Sequence, residues 1–363
     1  MKRFHSTMMM GAMTLAAASC AAAGGERRDF EVRNAFEIEV PDGAGTTRAW
    51  FALPDDRDPA QQVGEVAISA TGPAGPVPTQ ITRDEIGNRF LYLEYSGRPG
   101  KLAVVTEFAL TREEERKAVP ASRTRPISGA ERARMAEHLG ENEHVQITPA
   151  IAARAKAAVG SETNPIRMAR LIYDDVLDGV TYWVKFPDVM KASPVGSAVY
   201  TQEMKCGNCT DFHSLYAAMS RAVGIPTRMV YGSFLKGPLD GKDTDQSYHC
   251  WIEFWAPDAG WIPLDVAVAD VYVDDFVFKE SNASKVELTT ADGYAGPDPG
   301  LVDYYFGHLE ARRVTWNRGR DLALAPPAAD GPVNAMPKGH VEVDGKEWTK
   351  WTRKCTFREV GGG

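Results

Sequence analysis

Apolar side chains recur at helical spacing between positions 209 and 224 of the chain. Their intervals of three and four residues place them on one face of a buried helix: Phe212, Leu215, Tyr216, Met219 and Val223. Asn208 is suited to the N-cap of this helix, and Gly224, followed by an Ile-Pro pair, ends it. The pattern predicts a loop-to-helix junction that places Cys209 in the first helical turn.

Strand patterns follow the helix. Residues 229–235 and 248–255 are rich in β-branched and aromatic side chains, and residues 261–265 form a returning strand after an Ala-Pro-Asp-Ala-Gly turn. An antiparallel hairpin brings the start of one strand next to the end of the other. His249 and Asp265, 16 positions apart, are therefore predicted to lie side by side at one end of the sheet.

The N-terminal part of the chain has a different pattern. Between residues 24 and 110, short alternating segments separated by Gly- and Pro-containing turns predict an antiparallel, sandwich-like β domain. No cysteine or histidine occurs between Phe30 and Ala109, so we interpret this domain as a scaffold or docking module. Residues 111–147 are predicted to form a linker with a short helix over 131–138, in which His138 and His144 are exposed polar residues.

Composition narrows the class of protein. The chain has 363 residues, of which 44% are hydrophobic and 25% charged, and its formal net charge is −8. These values are typical of a globular protein of two domains, and they argue against wholesale disorder or a polytopic membrane protein. The acidic balance gives no support for a nucleic-acid partner, and the basic pair Arg312-Arg313 is interpreted as solvated surface.

The first 23 residues have the pattern of an export signal. Lys2 and Arg3 precede an apolar run over residues 8–18, which is too short for a bilayer anchor but suits a signal-peptide core. Two processing sites compete: three alanines at 21–23 suit a cleavage site, while a lipoprotein-type Ser-Cys pair would place a lipid anchor on Cys20. We therefore predict an exported protein, either periplasmic or lipid-anchored to the envelope.

Three residues have the identities and chain order of an acyl-transfer triad. Cys209 lies in a first helical turn, where free backbone N–H groups and the helix dipole favour a thiolate. His249 can accept its proton, and Asp265 can orient the imidazole. Cys209, His249 and Asp265 are therefore the candidate catalytic residues, and we predict no metal and no cofactor.

The sequence around these residues resembles that of a known family. Four segments carry the resemblance: Gly-Asn-Cys-Thr-Asp-Phe from 207, Arg-Ala-Val-Gly-Ile-Pro-Thr-Arg from 221, Tyr-His-Cys-Trp-Ile-Glu from 248 and Gly-Trp-Ile-Pro-Leu-Asp from 260. Residues 148–270 are similar to the core of the bacterial transglutaminase-like superfamily. The resemblance implies a papain-like α+β core of helices packed on an antiparallel sheet. The sandwich-like β domain that the strand pattern predicts precedes this core. A weaker likeness in the tail implies that residues 271–363 extend the core and pack on it.

This resemblance implies Cys-His-Asp chemistry but not one reaction, since the family includes peptidases, amide-transferring enzymes and inactive proteins. We predict an enzyme that attacks peptide-type amides of a peptide or protein in the cell envelope. A thioester would form and be resolved by water or an amine. The backbone N–H of Cys209 is expected to hold the oxyanion, with Gln202 as a possible second donor by analogy with papain-like enzymes.

Other functions remain open on the sequence alone. A catalytically inactive binding or scaffold protein would use the same cleft. Cys206 and Cys209 form a Cys-x-x-Cys pair at a helix start, as in thiol–disulfide oxidoreductases, although no βαβ pattern precedes it. A zinc site that uses these cysteines with His249 or Cys250 lacks a second Cys-x-x-Cys pair.

The remaining residues near the motif have plainer interpretations. His213 is interpreted as structural, and Asp211 as a charge that complements the helix dipole. Cys250 and Cys355 are interpreted as small buried apolar residues. The spacing also leaves open a disulfide between Cys206 and Cys355.

Overall fold

The computed structural model of the protein describes residues 25–276, 286–287, 289–290 and 293–361. The predicted signal peptide, including Cys20, lies outside the described residues. Within the described ranges, no helix combines the length and hydropathy that a membrane span requires.

Two antiparallel sheets pack face to face and form the N-terminal β domain. The first contains β1 (Arg27–Val40), β3 (Gln61–Val63), β4 (Ala67–Gly72), β5 (Gly75–Pro76), β8 (Gly100–Glu113) and β19 (Trp351–Glu359). The second contains β2 (Thr47–Ala52), β6 (Thr79–Arg83), β7 (Arg89–Tyr95), β17 (Gly339–Val343) and β18 (Lys346–Glu347). Phe36 and Leu102 of the first sheet meet Phe51 and Leu93 of the second in one core, because alternate side chains of each strand point inward. The predicted β sandwich is confirmed.

Helices pack on a four-stranded antiparallel sheet in the second half of the chain. The sheet runs in the order β14 (Gly260–Leu264), β13 (Tyr248–Ala256), β12 (Thr227–Phe234) and β16 (Arg313–Arg318). The described helices are α1 (Gly129–Arg134), α2 (Pro149–Val159), α3 (Pro165–Gly179), α4 (Ala198–Met204), α5 (Cys209–Ala222), α6 (Val266–Val271) and α7 (Pro299–Tyr304). Helix α5 contacts α2, α3, α4, β12 and β13, and its residues are buried almost throughout. The predicted α+β core is confirmed.

Short elements connect these layers. One pair joins β9 (Glu115–Arg116) to β15 (His308–Leu309), and a parallel pair joins β10 (Thr181–Tyr182) to β11 (Cys206–Gly207). The helix predicted over residues 131–138 is divided into α1 and a 3-10 turn at Ala136–His138. His138 and His144 are half-buried, contrary to the prediction that they are exposed. The ring of His138 packs edge-on against Trp261 at a centroid distance of 4.8 Å, which explains its burial.

The C-terminal strands do not follow the prediction that residues 271–363 pack on the core. Strand β16 does so by pairing with β12, but β19 pairs antiparallel with β1, and β17 pairs with β2. These pairings occupy edges of the sandwich that would otherwise expose unpaired N–H and C=O groups. The prediction is wrong for β17 and β19 because their alternating pattern suits the edge of any half-buried sheet.

Strand β16 joins the two halves of the protein. Its Val314 and Trp316 pack in one cluster with Phe30 and Phe108 of the sandwich. Thr315 Oγ1 donates a hydrogen bond to Asp58 Oδ2 at 2.6 Å. All six residues of β16 are buried, because groups from both halves of the protein surround the strand.

Candidate active site

A reciprocal cap fixes the start of α5. Asn208 Oδ1 accepts a hydrogen bond from the N–H of Asp211 at 3.1 Å, and Asp211 Oδ2 accepts one from the N–H of Asn208 at 2.9 Å. The same buried carboxylate accepts N–H bonds from Ser193 at 3.0 Å and Ser197 at 2.8 Å. Asp211 thus connects the preceding loop to the helix. The sequence predicted only that its charge complements the helix dipole. Cys209 becomes the first helical residue and is only 4% exposed.

The hairpin of β13 and β14 brings the other two candidate residues into contact. His249 Nε2 lies 2.7 Å from Asp265 Oδ2. Asp265 is also the N-cap of α6, where its Oδ1 accepts a hydrogen bond from the N–H of Val268 at 3.0 Å. The imidazole stacks on Phe234 at a centroid distance of 4.6 Å. The predicted juxtaposition of the two side chains is confirmed, and their catalytic role stays a prediction.

Cys209 and His249 lie close enough for each to shift the pKa of the other. Hydrogen bonding by Cys250, together with the charge and hydrogen bond of His249, outweighs burial and lowers the pKa of the Cys209 thiol well below its usual value. Burial disfavours the imidazolium, but the charges of Asp265 and Cys209 prevail and raise the pKa of His249 to about 9. The two shifts both favour a thiolate beside an imidazolium.

Arg313 is a residue of this site that the sequence interpretation missed. Its buried guanidinium has Nη1 2.7 Å from Asp265 Oδ2, and it donates to both carboxylate oxygens of Glu310 at 2.7 and 3.1 Å. Burial opposes ionisation of Asp265, but the charges of His249 and Arg313 hold the pKa of its carboxyl well below the usual range. The acid therefore stays ionised beside the imidazole.

The interpretation of Arg312-Arg313 as solvated surface is wrong for Arg313. The reason is the burial of β16 on both faces, which leaves no side of the strand in water. One sequence signal could have indicated this burial: Arg313 begins an Arg-Val-Thr-Trp run with strand character. That signal does not say whether the strand is central or at an edge.

A second thiol–imidazole contact lies beside the first. Cys250 Sγ is 3.4 Å from His213 Nδ1, and His213 Nε2 is 3.5 Å from Asp265 Oδ1. All three side chains are fully buried. Cys250 is buried as predicted, but its thiol has polar partners. Asp265 faces two histidines, one through each carboxylate oxygen.

Gln202 has contacts that do not suit the predicted oxyanion donor. Its Oε1 accepts a hydrogen bond from Arg154 Nη1 at 2.8 Å, and Arg154 Nε is paired with Asp175 Oδ2 at 2.6 Å. These contacts join α4 to α2 and α3. The oxyanion role of Gln202 stays a prediction that its recorded contacts do not support.

The two sulfurs of the Cys-x-x-Cys pair have different partners. Cys206 Sγ donates to the carbonyl oxygen of Lys191 at 3.4 Å, whereas the thiol of Cys209 has its pKa lowered by Cys250 and His249. Cys206, Cys209, Cys250 and Cys355 are all free and buried. Among the residues that the structure describes, no group of three or more His, Cys, Asp or Glu side chains is arranged to hold a metal ion.

A cavity of about 510 Å³ adjoins the start of α5. Its walls include Asn208 and Thr210 on either side of the nucleophile, Tyr248 next to His249, and the loops at 193–196 and 328–337. A larger hollow of about 680 Å³ lies on β1, β8 and β19, and its walls contain no cysteine or histidine. The smaller cavity is therefore the candidate substrate cleft, since it alone of these two has the chain neighbours of Cys209 and His249 in its walls.

Known proteins share this arrangement of elements. Residues 152–266 match the family model of the transglutaminase-like superfamily. This stretch contains the start of α5, the β13–β14 hairpin and Asp265. It is a transglutaminase-like domain. The resemblance that the sequence motifs indicated is thereby confirmed.

Similarity to individual proteins extends beyond the transglutaminase-like domain. An uncharacterized protein of Haemophilus influenzae is 25% identical over 345 residues, which cover 87% of this chain and 86% of that protein. A protein-glutamine gamma-glutamyltransferase of Pseudomonas aeruginosa is 25% identical over 126 residues, which cover 33% of this chain and 17% of that protein. The crystal structure of a candidate cysteine protease from Cytophaga hutchinsonii superposes with a TM-score of 0.54 at 16% identity, covering 93% of this chain and 92% of that one.

The similarity to this crystal structure is one of fold. It covers the sandwich as well as the transglutaminase-like domain. The domain has the α+β architecture of papain-like cysteine proteases. The chain therefore carries the fold of a cysteine-dependent enzyme family.

Proposed function

We propose that the protein is an exported enzyme that attacks peptide-type amides with Cys209 as nucleophile. The observation that carries the proposal is the 2.7 Å contact between His249 Nε2 and Asp265 Oδ2. It leaves Nδ1 of the same ring for the sulfur of Cys209, whose charge acts with that of Asp265, against the effect of burial, to raise the pKa of His249. Sulfur, imidazole and carboxylate in this sequence of contacts are the groups that acyl transfer requires.

In the proposed reaction, the Cys209 thiolate attacks the carbonyl carbon of the amide. Negative charge develops on the carbonyl oxygen, where the backbone N–H of Cys209 can stabilise it, because first-turn N–H groups have no acceptor within the helix. His249 then gives its proton to the departing nitrogen, and a thioester remains on Cys209. Water or an amine, deprotonated by His249, attacks the thioester and restores the free thiol.

Asp265 and Arg313 support this cycle without touching the substrate. The carboxylate of Asp265 holds the imidazole in one orientation and stabilises it when it is charged. Arg313 keeps that carboxylate ionised inside the protein, where a lone acid would be neutralised by burial. Asp265 and Arg313 thus keep the imidazole of His249 in the orientation and charge state that the proposed reaction requires.

The acyl donor is proposed to be a peptide or protein of the cell envelope. The cavity beside Cys209 is walled by loops from both the core and the C-terminal segment, and such a groove can receive an extended chain. The name of the Pseudomonas aeruginosa relative supports a glutamine side chain as one candidate donor. Backbone cleavage and glutamine modification share the thioester and differ in the leaving group.

The activity is tested by incubating the purified protein, without its leader, with envelope-derived peptides and analysing the products by mass spectrometry. We expect either new peptide termini or altered glutamine side chains. Cys209→Ala is expected to lower the rate by roughly 10⁴-fold, because the reaction loses its nucleophile. Cys355→Ala removes another buried free cysteine and is the matched control, expected to retain activity. If Cys209→Ala and the wild type turned over the peptides at equal rates, another residue would be the nucleophile. If neither the wild type nor any variant showed turnover, the result would favour a binding protein.

Export is part of the proposal and rests on the leader sequence. We expect cell fractionation to recover the shortened chain in the envelope or periplasm. Cys20→Ala is expected to release it from the membrane fraction if lipid is attached at that cysteine. Recovery of the full-length chain in the cytosol would contradict export.

A further inference from the structure

A third cavity, of about 420 Å³, lies where the sandwich, the linker and the transglutaminase-like domain meet, and it shares no wall residue with the candidate substrate cleft. Five of its wall residues are arginines: Arg57, Arg221, Arg228, Arg318 and Arg320. The two acids in its walls, Glu85 and Glu137, are exposed to solvent. Because the whole chain has a net charge of −8, this concentration of cations is a local feature.

Two of the five arginines are neutralised by buried carboxylates. Asp55 pairs with both Arg57 and Arg318. Arg318 also lies 3.1 Å from Asp58 Oδ2 and 3.5 Å from Glu253 Oε2. These two guanidinium groups therefore add little net charge to the cavity.

Arg221 and Arg320 are buried cations with no carboxylate at salt-bridge distance among the described residues. The acceptors of their N–H groups are neutral: the carbonyl oxygens of Gly140 and Thr227 and the side chains of Asn142 and Thr227 for Arg221, and the carbonyl oxygens of Val195 and Gly196 and the side chains of Ser214 and Asn334 for Arg320. Burial, together with the charge of Arg320, lowers the pKa of Arg221 to about 10, against the opposing charge of Asp321. Both groups are still charged at neutral pH, so the cavity wall contains positive charge that no direct partner neutralises.

Arg228 brings hydrogen-bond donors to the same cavity. Its guanidinium lies over the indole of Trp261, with Cζ 4.1 Å from the ring centroid, and its Nε donates to Glu253 Oε2. These two contacts fix the plane of the guanidinium. Neither Nη1 nor Nη2 of Arg228 hydrogen-bonds to another residue that the structure describes. A guanidinium with free N–H groups can donate two parallel hydrogen bonds to two oxygens of one anion.

We propose that this cavity binds a phosphate group, either the free ion or a phosphate ester, through the N–H groups of Arg228 and the charges of Arg221 and Arg320. A phosphate ester carries roughly 1.5–2 negative charges at pH 7, whereas a carboxylate carries one. Two buried cations without carboxylate partners therefore favour phosphate over a carboxylate. The binding is non-covalent, and it does not depend on the proposed chemistry of Cys209.

Isothermal titration calorimetry of the purified protein at pH 7 and constant ionic strength tests the proposal. Inorganic phosphate, glycerol phosphate and acetate are titrated separately. We expect one of the two phosphates to bind at least about 10-fold more tightly than acetate, because it carries more charge beside Arg221 and Arg320. The tighter of the two identifies the source of the phosphate group as the free ion or an ester.

Arg228→Gln is expected to weaken phosphate binding by roughly 10- to 100-fold, because it removes charge-assisted hydrogen bonds. Arg48→Gln is the matched control. Arg48 also lies over a tryptophan, Trp50, and also pairs with a buried glutamate, Glu342. Its side chain is 23% exposed, against 24% for Arg228, but it is not in the wall of the cavity. Arg48→Gln is expected to leave the phosphate affinity unchanged.

Glu137→Gln tests the site in the opposite direction. The carboxylate of Glu137 lies in the cavity wall, is 67% exposed and repels a bound anion across solvent. Its removal is expected to strengthen phosphate binding by about 2- to 5-fold, the range of an exposed charge interaction. Loss of structure would weaken binding, so it cannot imitate this gain. Circular dichroism checks the fold of every variant.

Three results would overturn the proposal. The first is a wild-type protein that binds neither phosphate. The second is a phosphate affinity that Arg228→Gln leaves unchanged, or that Arg48→Gln lowers equally, since either would place the anion outside this cavity. The third is acetate that binds as tightly as phosphate, which would contradict the preference for the more highly charged group.

Discussion

Replacing Arg313 with methionine is expected to lower the free energy of unfolding by about 3–5 kcal/mol. The guanidinium is fully buried and pairs with Asp265 and Glu310. Methionine fills much of the same space but leaves two buried carboxylates without their cation. Urea denaturation at pH 7, followed by circular dichroism, measures the loss.

A matched surface pair provides the control for this prediction. Arg33 Nε lies 2.9 Å from Glu107 Oε1, and both side chains are about half-exposed. Arg33→Met is expected to cost less than about 1 kcal/mol, because exposed ion pairs are screened by water. Adding Glu310→Gln to Arg313→Met is expected to recover part of the stability, since one unpaired charge is removed. Similar losses in Arg313→Met and Arg33→Met would contradict the buried ion cluster.

The second large effect is expected at Cys209 when His249 is replaced by alanine. The pKa of His249, raised to about 9, keeps the imidazolium beside the sulfur through neutral pH. Without that charge the thiol is expected to return toward its ordinary pKa of about 8.5. At pH 6 the alkylation of Cys209 should then slow on the order of 100-fold, because little of the sulfur remains as thiolate. A more basic sulfur is a stronger nucleophile, and this offsets part of the loss.

The measurement follows iodoacetamide labelling of Cys209 and Cys206 in one sample at pH 6 and pH 8. Cys206 is equally buried but bonded to a backbone carbonyl, so it serves as the internal comparison. Wild-type Cys209 should react much faster than Cys206 at both pH values, and His249→Ala should remove most of that advantage at pH 6. His144→Ala, at a half-buried histidine outside the site, is expected to change neither rate. Unchanged selectivity in His249→Ala would show that the imidazole does not activate the sulfur.

The sequence determined the local parts of the candidate site. Helical spacing from Phe212, an Asn208 cap and a Gly-Ile-Pro ending specify α5, and the structure begins that helix at Cys209. Strand patterns on both sides of a short turn specify the β13–β14 hairpin, whose antiparallel geometry brings His249 to Asp265. These features depend on residues close together in the chain, where periodicity and turn chemistry are informative.

Only the tertiary structure decided the surroundings of that site. Arg313 lies 48 positions after Asp265 in the chain. It contacts that carboxylate because β16 is buried between the two halves of the protein. The contact of Cys250 with His213 depends on how β13 meets α5. Strand β19 joins β1 across almost the whole chain, although its alternation suits any sheet edge. Side-chain patterns show that a residue faces inward, but the partner it meets depends on how distant segments pack, and local patterns do not encode that choice.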